Sequence, residues 1–160
     1  MKNSVVVSMA LVFVCAASAW ASGCSSSPRP GDAGGKASGE AIVRTARGQV
    51  GVPYRYGGNS PQSGFDCSGL VQWVFKQHGF QVPRATTEQI AFGSSVRRQD
   101  LRPGDVLIFD IQSKNYHSAI YAGGNTFVHA PSSGGKVRED NLDNVYWNKA
   151  YFKARRYLAR

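Results

Sequence analysis

Few residues in this 160-residue chain can do covalent chemistry, and they sit in recognisable places. Cys67 stands in Gly64-Phe-Asp-Cys-Ser-Gly-Leu-Val71, between an acid and a hydroxyl and directly before an apolar run. A thiol there can be a buried filler, a disulfide or metal partner, or a nucleophile. A nucleophile needs a base, and usually a third group that orients the base. His117 and His129 are the candidates for those two parts. They lie twelve residues apart and flank Gly123-Gly124-Asn125. With an odd loop, such as three residues, that even spacing puts both rings on one face of a hairpin, whereas a two-residue turn puts them on opposite faces. Asn125 after two glycines predicts the longer loop. His78 is eleven residues beyond Cys67, about 16 Å along a helix at 1.5 Å per residue. It is expected as a partner of that helix's C-terminus or as a half-buried side chain.

Asp66 occupies the position of an N-cap, which makes Cys67 the first residue of a helix. The free N–H groups and the dipole at that end favour an anion and lower a thiol's pKa. The apolar stripe of the same helix carries Cys67, so a merely buried thiol remains open on the helix alone. Cysteine with two histidines is also an acceptable zinc set. The chain has no close ligand pair of the C-x-x-C or H-x-x-x-H kind, however, so no metal and no cofactor is expected.

The elements that must position these residues follow from periodicity. Ile42, Val43, Ala46 and Val50 predict a helix over 40–50, ended by Gly51. A Gly/Pro/Asn-rich loop, 52–64, precedes a second helix whose stripe is Cys67, Leu70, Val71, Val74, Phe75 and His78, ended by Gly79. A short third helix is expected over 86–92. After Arg102-Pro103-Gly104 the period changes, and 105–110, 118–122 and 126–130 read as strands. An amphipathic segment, 146–152, and a last strand, 154–158, close the chain. Helices first and antiparallel strands second give an α+β class.

Before the folded part lies an export segment. One lysine, an uncharged apolar run from Val5 to Ala17, and small residues after it make a secretory signal too short for a stable membrane span. Ala21-Ser22-Gly23-Cys24 is similar to a bacterial lipobox, which makes 1–23 the signal and Cys24 the lipidated N-terminus. Cleavage after Ala21, leaving Cys24 as a free thiol, is the alternative. Ser25 follows the cysteine, and similar bacterial lipoproteins without aspartate there usually go to the outer membrane. Residues 24–39 are Ser, Pro and Gly rich and read as a flexible tether, leaving 40–160 as the folded domain. With Cys15 removed and Cys24 acylated, Cys67 is the one thiol of the domain, so an internal disulfide is excluded. The formal charge of +9 fits an anionic wall or membrane partner as well as it fits a merely soluble basic surface. Export excludes nucleic acid, and a monomer is expected.

Five segments in order resemble one family: Tyr54-Arg-Tyr-Gly-Gly58, Asp66-Cys-Ser-Gly69, Arg102-Pro-Gly-Asp105, His117-Ser-Ala-Ile-Tyr121 and Phe127-Val-His-Ala130. They look like the successive motifs of NlpC/P60 cell-wall cysteine peptidases. The signal, the tether and the Trp147/Arg155-Arg156 tail resemble the Spr/NlpC-type outer-membrane lipoproteins within it. The resemblance implies a papain-like α+β fold and a Cys67/His117/His129 catalytic set. It also implies cleavage of amide bonds in peptidoglycan stem peptides or crosslinks, at D-Ala–meso-diaminopimelate or D-Glu–meso-diaminopimelate, with the crosslink favoured. Tyr54 matches a tyrosine beside the thiol that helps bind oxyanion or substrate. Asp66 and Ser68 match positions along the substrate groove, with helix capping as the local alternative, and Arg84 matches a family position as a structural residue or as a partner of a substrate carboxylate. Relatives read His-Val-Gly-Ile-Tyr where this chain has His117-Ser118-Ala119, so the pocket beside the base differs. A wall-binding lipoprotein without activity and an acyltransferase on the same scaffold are the alternative functions.

Overall fold

Helix α1 (Gly39–Arg47) begins at Ser38, whose hydroxyl accepts a hydrogen bond from the Ala41 N–H at 3.2 Å. Glu40 in the first turn and Arg44 and Arg47 in the last complement the helix dipole. The computed structural model describes residues 37–158. The expected signal 1–23, the lipidation site Cys24 and the tether up to residue 36 lie outside the described residues. α1 buries Ile42, Val43 and Ala46 as predicted, but it stops three residues short of Val50, which is half exposed. The cause is tertiary. Gly51 N–H donates to the Val137 carbonyl at 2.9 Å and Val137 N–H to the Val52 carbonyl at 2.8 Å, which pulls the chain out of the helix into an extended path.

A small hairpin, β1 (Asn59–Ser60) with β2 (Gly64–Phe65), leads into α2 (Cys67–Lys76). Asp66 is its N-cap and accepts from the Gly69 N–H at 2.7 Å. Gly79, at φ +80°, adopts the left-handed conformation that ends such helices. Leu70, Val71, Val74 and Phe75 of α2 are fully buried and meet Val106, Ile108, Ile120 and Val128 of the sheet. Each such side chain contributes about 1.5–3 kcal/mol by leaving water. α3 is one turn long (Thr86–Gln89), shorter than the expected 86–92.

The sheet has six strands: β3 (Ser94–Val96), β4 (Val106–Gln112), β5 (Asn115–Gly123), β6 (Thr126–His129), β7 (Arg138–Asn141) and β8 (Tyr151–Arg156). Their order is β3-β8-β4-β5-β6-β7 and every pairing is antiparallel. α1 and α2 cover one face. α4 (Val145–Ala150) covers the other, where Trp147 packs with Leu107, Phe109, Phe127 and Leu142. The α+β class with helices on an antiparallel sheet agrees with the sequence. Two expectations near the C-terminus shift. The helix ends at Ala150, and the last strand starts at Tyr151 instead of residue 154, because ladder pairing with β4 recruits Tyr151 and Lys153.

Pairing of the predicted segments Arg102-Pro-Gly-Asp105 and Arg155-Arg156 explains why both are charged. Arg156 donates from Nε to Asp105 Oδ1 and from Nη2 to Oδ2, each at 2.7 Å, and the Arg102 N–H donates to Oδ2 at 2.8 Å. Asp105 is 1% exposed. Removing one partner of a buried pair strands the other charge, which costs about 3–5 kcal/mol. Asp105→Ala is therefore expected to lower the urea midpoint sharply while leaving the m-value of the parent, measured by equilibrium unfolding.

Candidate active site

The turn between β5 and β6 decides whether the two imidazoles meet. It is a two-residue turn, Gly124–Asn125, with φ of +56° and +62°, closed by the pair Gly123↔Thr126. Positive φ at both positions is what a type I′ hairpin turn requires. On its own this turn would put His117 and His129 on opposite faces, so the predicted three-residue loop is corrected. A register shift between Tyr121 and Gly123 leaves Ala122 as an extra residue, and one bulged residue restores the parity. The rings therefore share the face covered by α4. His117 Nε2 and His129 Nδ1 lie 2.9 Å apart, with the ring planes at 84°.

The pair continues to a carboxylate that the sequence reading missed. His129 Nε2 is 2.9 Å from Asp140 Oδ2, which also accepts from Arg138 Nε (3.1 Å), Arg138 Nη2 (2.9 Å) and the Trp147 indole N–H (3.0 Å). Burial alone would raise Asp140, but the Arg138 bonds, His129 and the indole outweigh it and hold the carboxyl below its ordinary value. An ionised carboxylate only accepts, so His129 Nε2 carries the proton. His129 Nδ1 then accepts from His117 Nε2–H, which leaves His117 Nδ1 with a free lone pair. One carboxylate thus sets the tautomer of both rings. Trp147 stacks on His117 at 5.6 Å between centroids and meets His129 edge-on at 4.9 Å. The accessible edge of His117 opens into a cleft of about 260 Å³ bordered by Ile111, Pro131, Ser132, Tyr146 and Trp147.

Cys67 is half buried at the first turn of α2. Its sulfur lies 3.7 Å from Thr86 Oγ1, and among the described residues no hydrogen bond joins it to either imidazole. Around it, Asp66, Ser68 and Arg84 form one network. Arg84 donates to both oxygens of Asp66 at 2.9 and 2.6 Å, to Ser68 Oγ at 2.9 Å and to the Gly58 carbonyl at 3.3 Å. Asp66 also accepts from the Gly57 N–H at 2.9 Å. The Asp66 carboxylate is thereby saturated by its own chain, and both terminal nitrogens of Arg84 are spent on the same network, although the side chain is 35% exposed. Gly69 is required because a Cβ there would sit 2.1 Å from the Gly58 carbonyl oxygen. Tyr54 is half buried; burial, then the neighbouring Cys67 and Asp66, push its hydroxyl above the ordinary tyrosine value. His78 is elsewhere, with Nε2 2.8 Å from Thr45 Oγ1, where it ties the end of α2 to α1.

The family model described as the NlpC/P60 family matches residues 51–156. The chain belongs to the NlpC/P60 family. Among the relatives it resembles, the murein DD-endopeptidase MepS/murein LD-carboxypeptidase of Escherichia coli K12 is 47% identical over 111 residues, covering 69% of this chain and 58% of the relative. Gamma-DL-glutamyl hydrolase of Bacillus subtilis is 36% identical over 126 residues, 76% of this chain and 30% of that protein. This chain therefore spans less than two thirds of the curated relatives' length. The crystal structure of the NlpC/P60 domain of the peptidoglycan hydrolase SagA superposes with a TM-score of 0.65 at 31% identity, covering 78% of this chain and all of that one. The papain-like architecture of NlpC/P60 domains is thus the fold of this chain.

Within the NlpC/P60 frame, the residues that sequence reasoning missed are Asp140, Trp147 as a ring partner, Thr86 and Gln89. Asp140 lies on β7, whose sequence Arg138-Glu-Asp-Asn141 shows no apolar alternation. Trp147 was visible only as a tail residue.

Burial above all depresses both imidazoles. His117 falls to about 3, pushed further by His129 and Arg138, and His129 to about 4, with Asp140 opposing the fall. Both rings are neutral at pH 7, the state in which His117 can accept a proton. Because the unfolded chain takes up protons first, near the ordinary 6.5, stability is full above that pH and is lost as the pH falls from 6.5 toward 4. Each group adds a slope of up to about 1.4 kcal/mol per pH unit. Unfolding free energies at pH 7, 6 and 5 should fall more steeply in the parent than in His117→Asn.

Proposed function

We propose that the chain is a peptidoglycan endopeptidase of the bacterial cell envelope in which Cys67 is the nucleophile and His117 the base. The observation that carries this reading is the Asp140–His129–His117 chain, which leaves His117 Nδ1 unprotonated at neutral pH and, among the described residues, without a hydrogen-bond partner. The Cys67 thiol gives its proton to that nitrogen as sulfur attacks the amide carbonyl. The resulting imidazolium then returns the proton to the departing amine, leaving a thioester. Water, deprotonated by His117, hydrolyses the thioester and restores the thiol. His129 holds the His117 ring, and Asp140 holds His129. N–H groups at the start of α2 and the Tyr54 hydroxyl stabilise the oxyanion.

Substrate class follows from the family. Relatives named for murein and for γ-glutamyl bonds support a stem-peptide amide. The saturated Asp66 carboxylate is a poor partner for a substrate amine at that point. The D-Ala–meso-diaminopimelate crosslink is the favoured bond, followed by D-Glu–meso-diaminopimelate. A lipid anchor at Cys24, placed by Ala21-Ser22-Gly23-Cys24, would hold the domain 40–160 at the outer membrane on the tether 24–39, acting as a monomer on the wall.

Purified sacculi digested by the parent should release soluble fragments whose new amine and carboxyl ends name the bond. Cys67→Ala is expected to release none; digestion at the parent's rate would overturn the thiol mechanism. Asp140→Ala should lower kcat by roughly tenfold or more through loss of the fixed tautomers, with KM little changed, in assays on a soluble muropeptide.

A further inference from the structure

Gln89 ends the one-turn helix α3 and is fully buried. A buried amide with no role in the core would be a liability, since each unpaired donor or acceptor costs stability. Its side chain is fully engaged. Nε2 donates to the Ser68 carbonyl at 3.1 Å and to the Pro83 carbonyl at 2.8 Å, while Oε1 accepts from the Ser118 hydroxyl at 2.8 Å. Its backbone carbonyl accepts from the buried Tyr157 hydroxyl at 2.9 Å. Ser118 is itself fully buried. The three residues form a strut across the boundary between helices and sheet, and its two ends adjoin the two reacting residues: Ser68 follows Cys67, and Ser118 follows His117.

We propose that Gln89, together with Ser118, is a positioning residue for the thiol and its base, an inference that rests on the cysteine mechanism above. α2 and β5 come from distant parts of the chain. Apolar packing between them is non-directional and tolerates small slides. A neutral hydrogen-bonded strut is directional, and it fixes the spacing of the Ser68 backbone against β5. Thr86, on the same turn as Gln89, touches the Cys67 sulfur at 3.7 Å, so a shift of α3 also moves the thiol's own neighbour. Ser118 is where this chain departs from His-Val-Gly-Ile-Tyr. A valine there could not donate to Gln89 Oε1, so the sheet end of the strut depends on the serine that stands in this chain.

Ser118→Ala removes one hydroxyl and leaves the Ser68 and Pro83 bonds to Gln89 in place, which makes it the milder test; Gln89→Leu removes the whole strut. Both are assayed as full chains, at a temperature well below their measured unfolding midpoints, on a soluble muropeptide. Misplacement by a fraction of an ångström predicts a loss in kcat of about tenfold for Ser118→Ala, and more for Gln89→Leu, with KM within about twofold of the parent. Iodoacetamide labelling of Cys67, followed on its own peptide by mass spectrometry, should slow in parallel, because the base is less well placed to take the thiol proton. Parent-like kcat and labelling in folded Ser118→Ala, while Cys67→Ala is inactive, overturns the proposal and leaves the mechanism standing. Activity in Cys67→Ala overturns the mechanism itself and the strut's part in it.

Discussion

Everything in this domain depends on the apolar stripe of α2 lying against the centre of the sheet. Leu70, Val71, Val74 and Phe75 meet strand residues Val106, Ile108, Ile120 and Val128 at full burial. That contact sets the helix axis relative to β5 and delivers the first turn of α2, with Cys67, to the neighbourhood of the strand that carries His117. Non-directional burial supplies the energy of this arrangement and directional polar contacts supply its register. The Asp66 cap, the Arg84 pair and the Gln89 strut all act at the N-terminal end of the same helix, where a slide would matter to chemistry.

A division of labour between the two faces of the sheet follows. The helical face holds the larger hydrophobic core, and the face under α4 holds the two paired imidazoles. Burial under Trp147 keeps both imidazoles neutral, yet it would leave their nitrogens unpaired if they did not bond to each other and to Asp140. The carboxylate is kept ionised by Arg138 at the sheet edge, half exposed, where its charge is least expensive. Charge therefore enters from the edge and is passed inward as a choice of tautomer, with no buried ion at the end of the chain.

How legible the fold was depended on where each strand sits. β4, β5 and β6 are central, buried on both sides, and their apolar runs announced them. β3 and β7 are the two edges of the sheet, and neither was read, since Ser94-Ser-Val96 and Arg138-Glu-Asp-Asn141 have no buried face to impose a pattern. Charged and polar edges are how sheets avoid pairing with other chains. Asp140 was invisible for the same reason, as one acid among the charges of an edge strand.

By itself the sequence determined which groups could react and which helices and central strands would carry them. Residue type and local periodicity specify those, and the N-cap that places Cys67 at a helix start is a local matter. The meeting of His117 and His129 was not local, because it turned on one bulged residue at Ala122 that offset an even turn. Nor could spacing reveal that Asp140 would complete the chain of donors, or that Gln89 would join Ser68 to Ser118. Those contacts bring together residues far apart in the chain, and long-range register is decided by how the helices and the sheet pack, which only the tertiary structure contains.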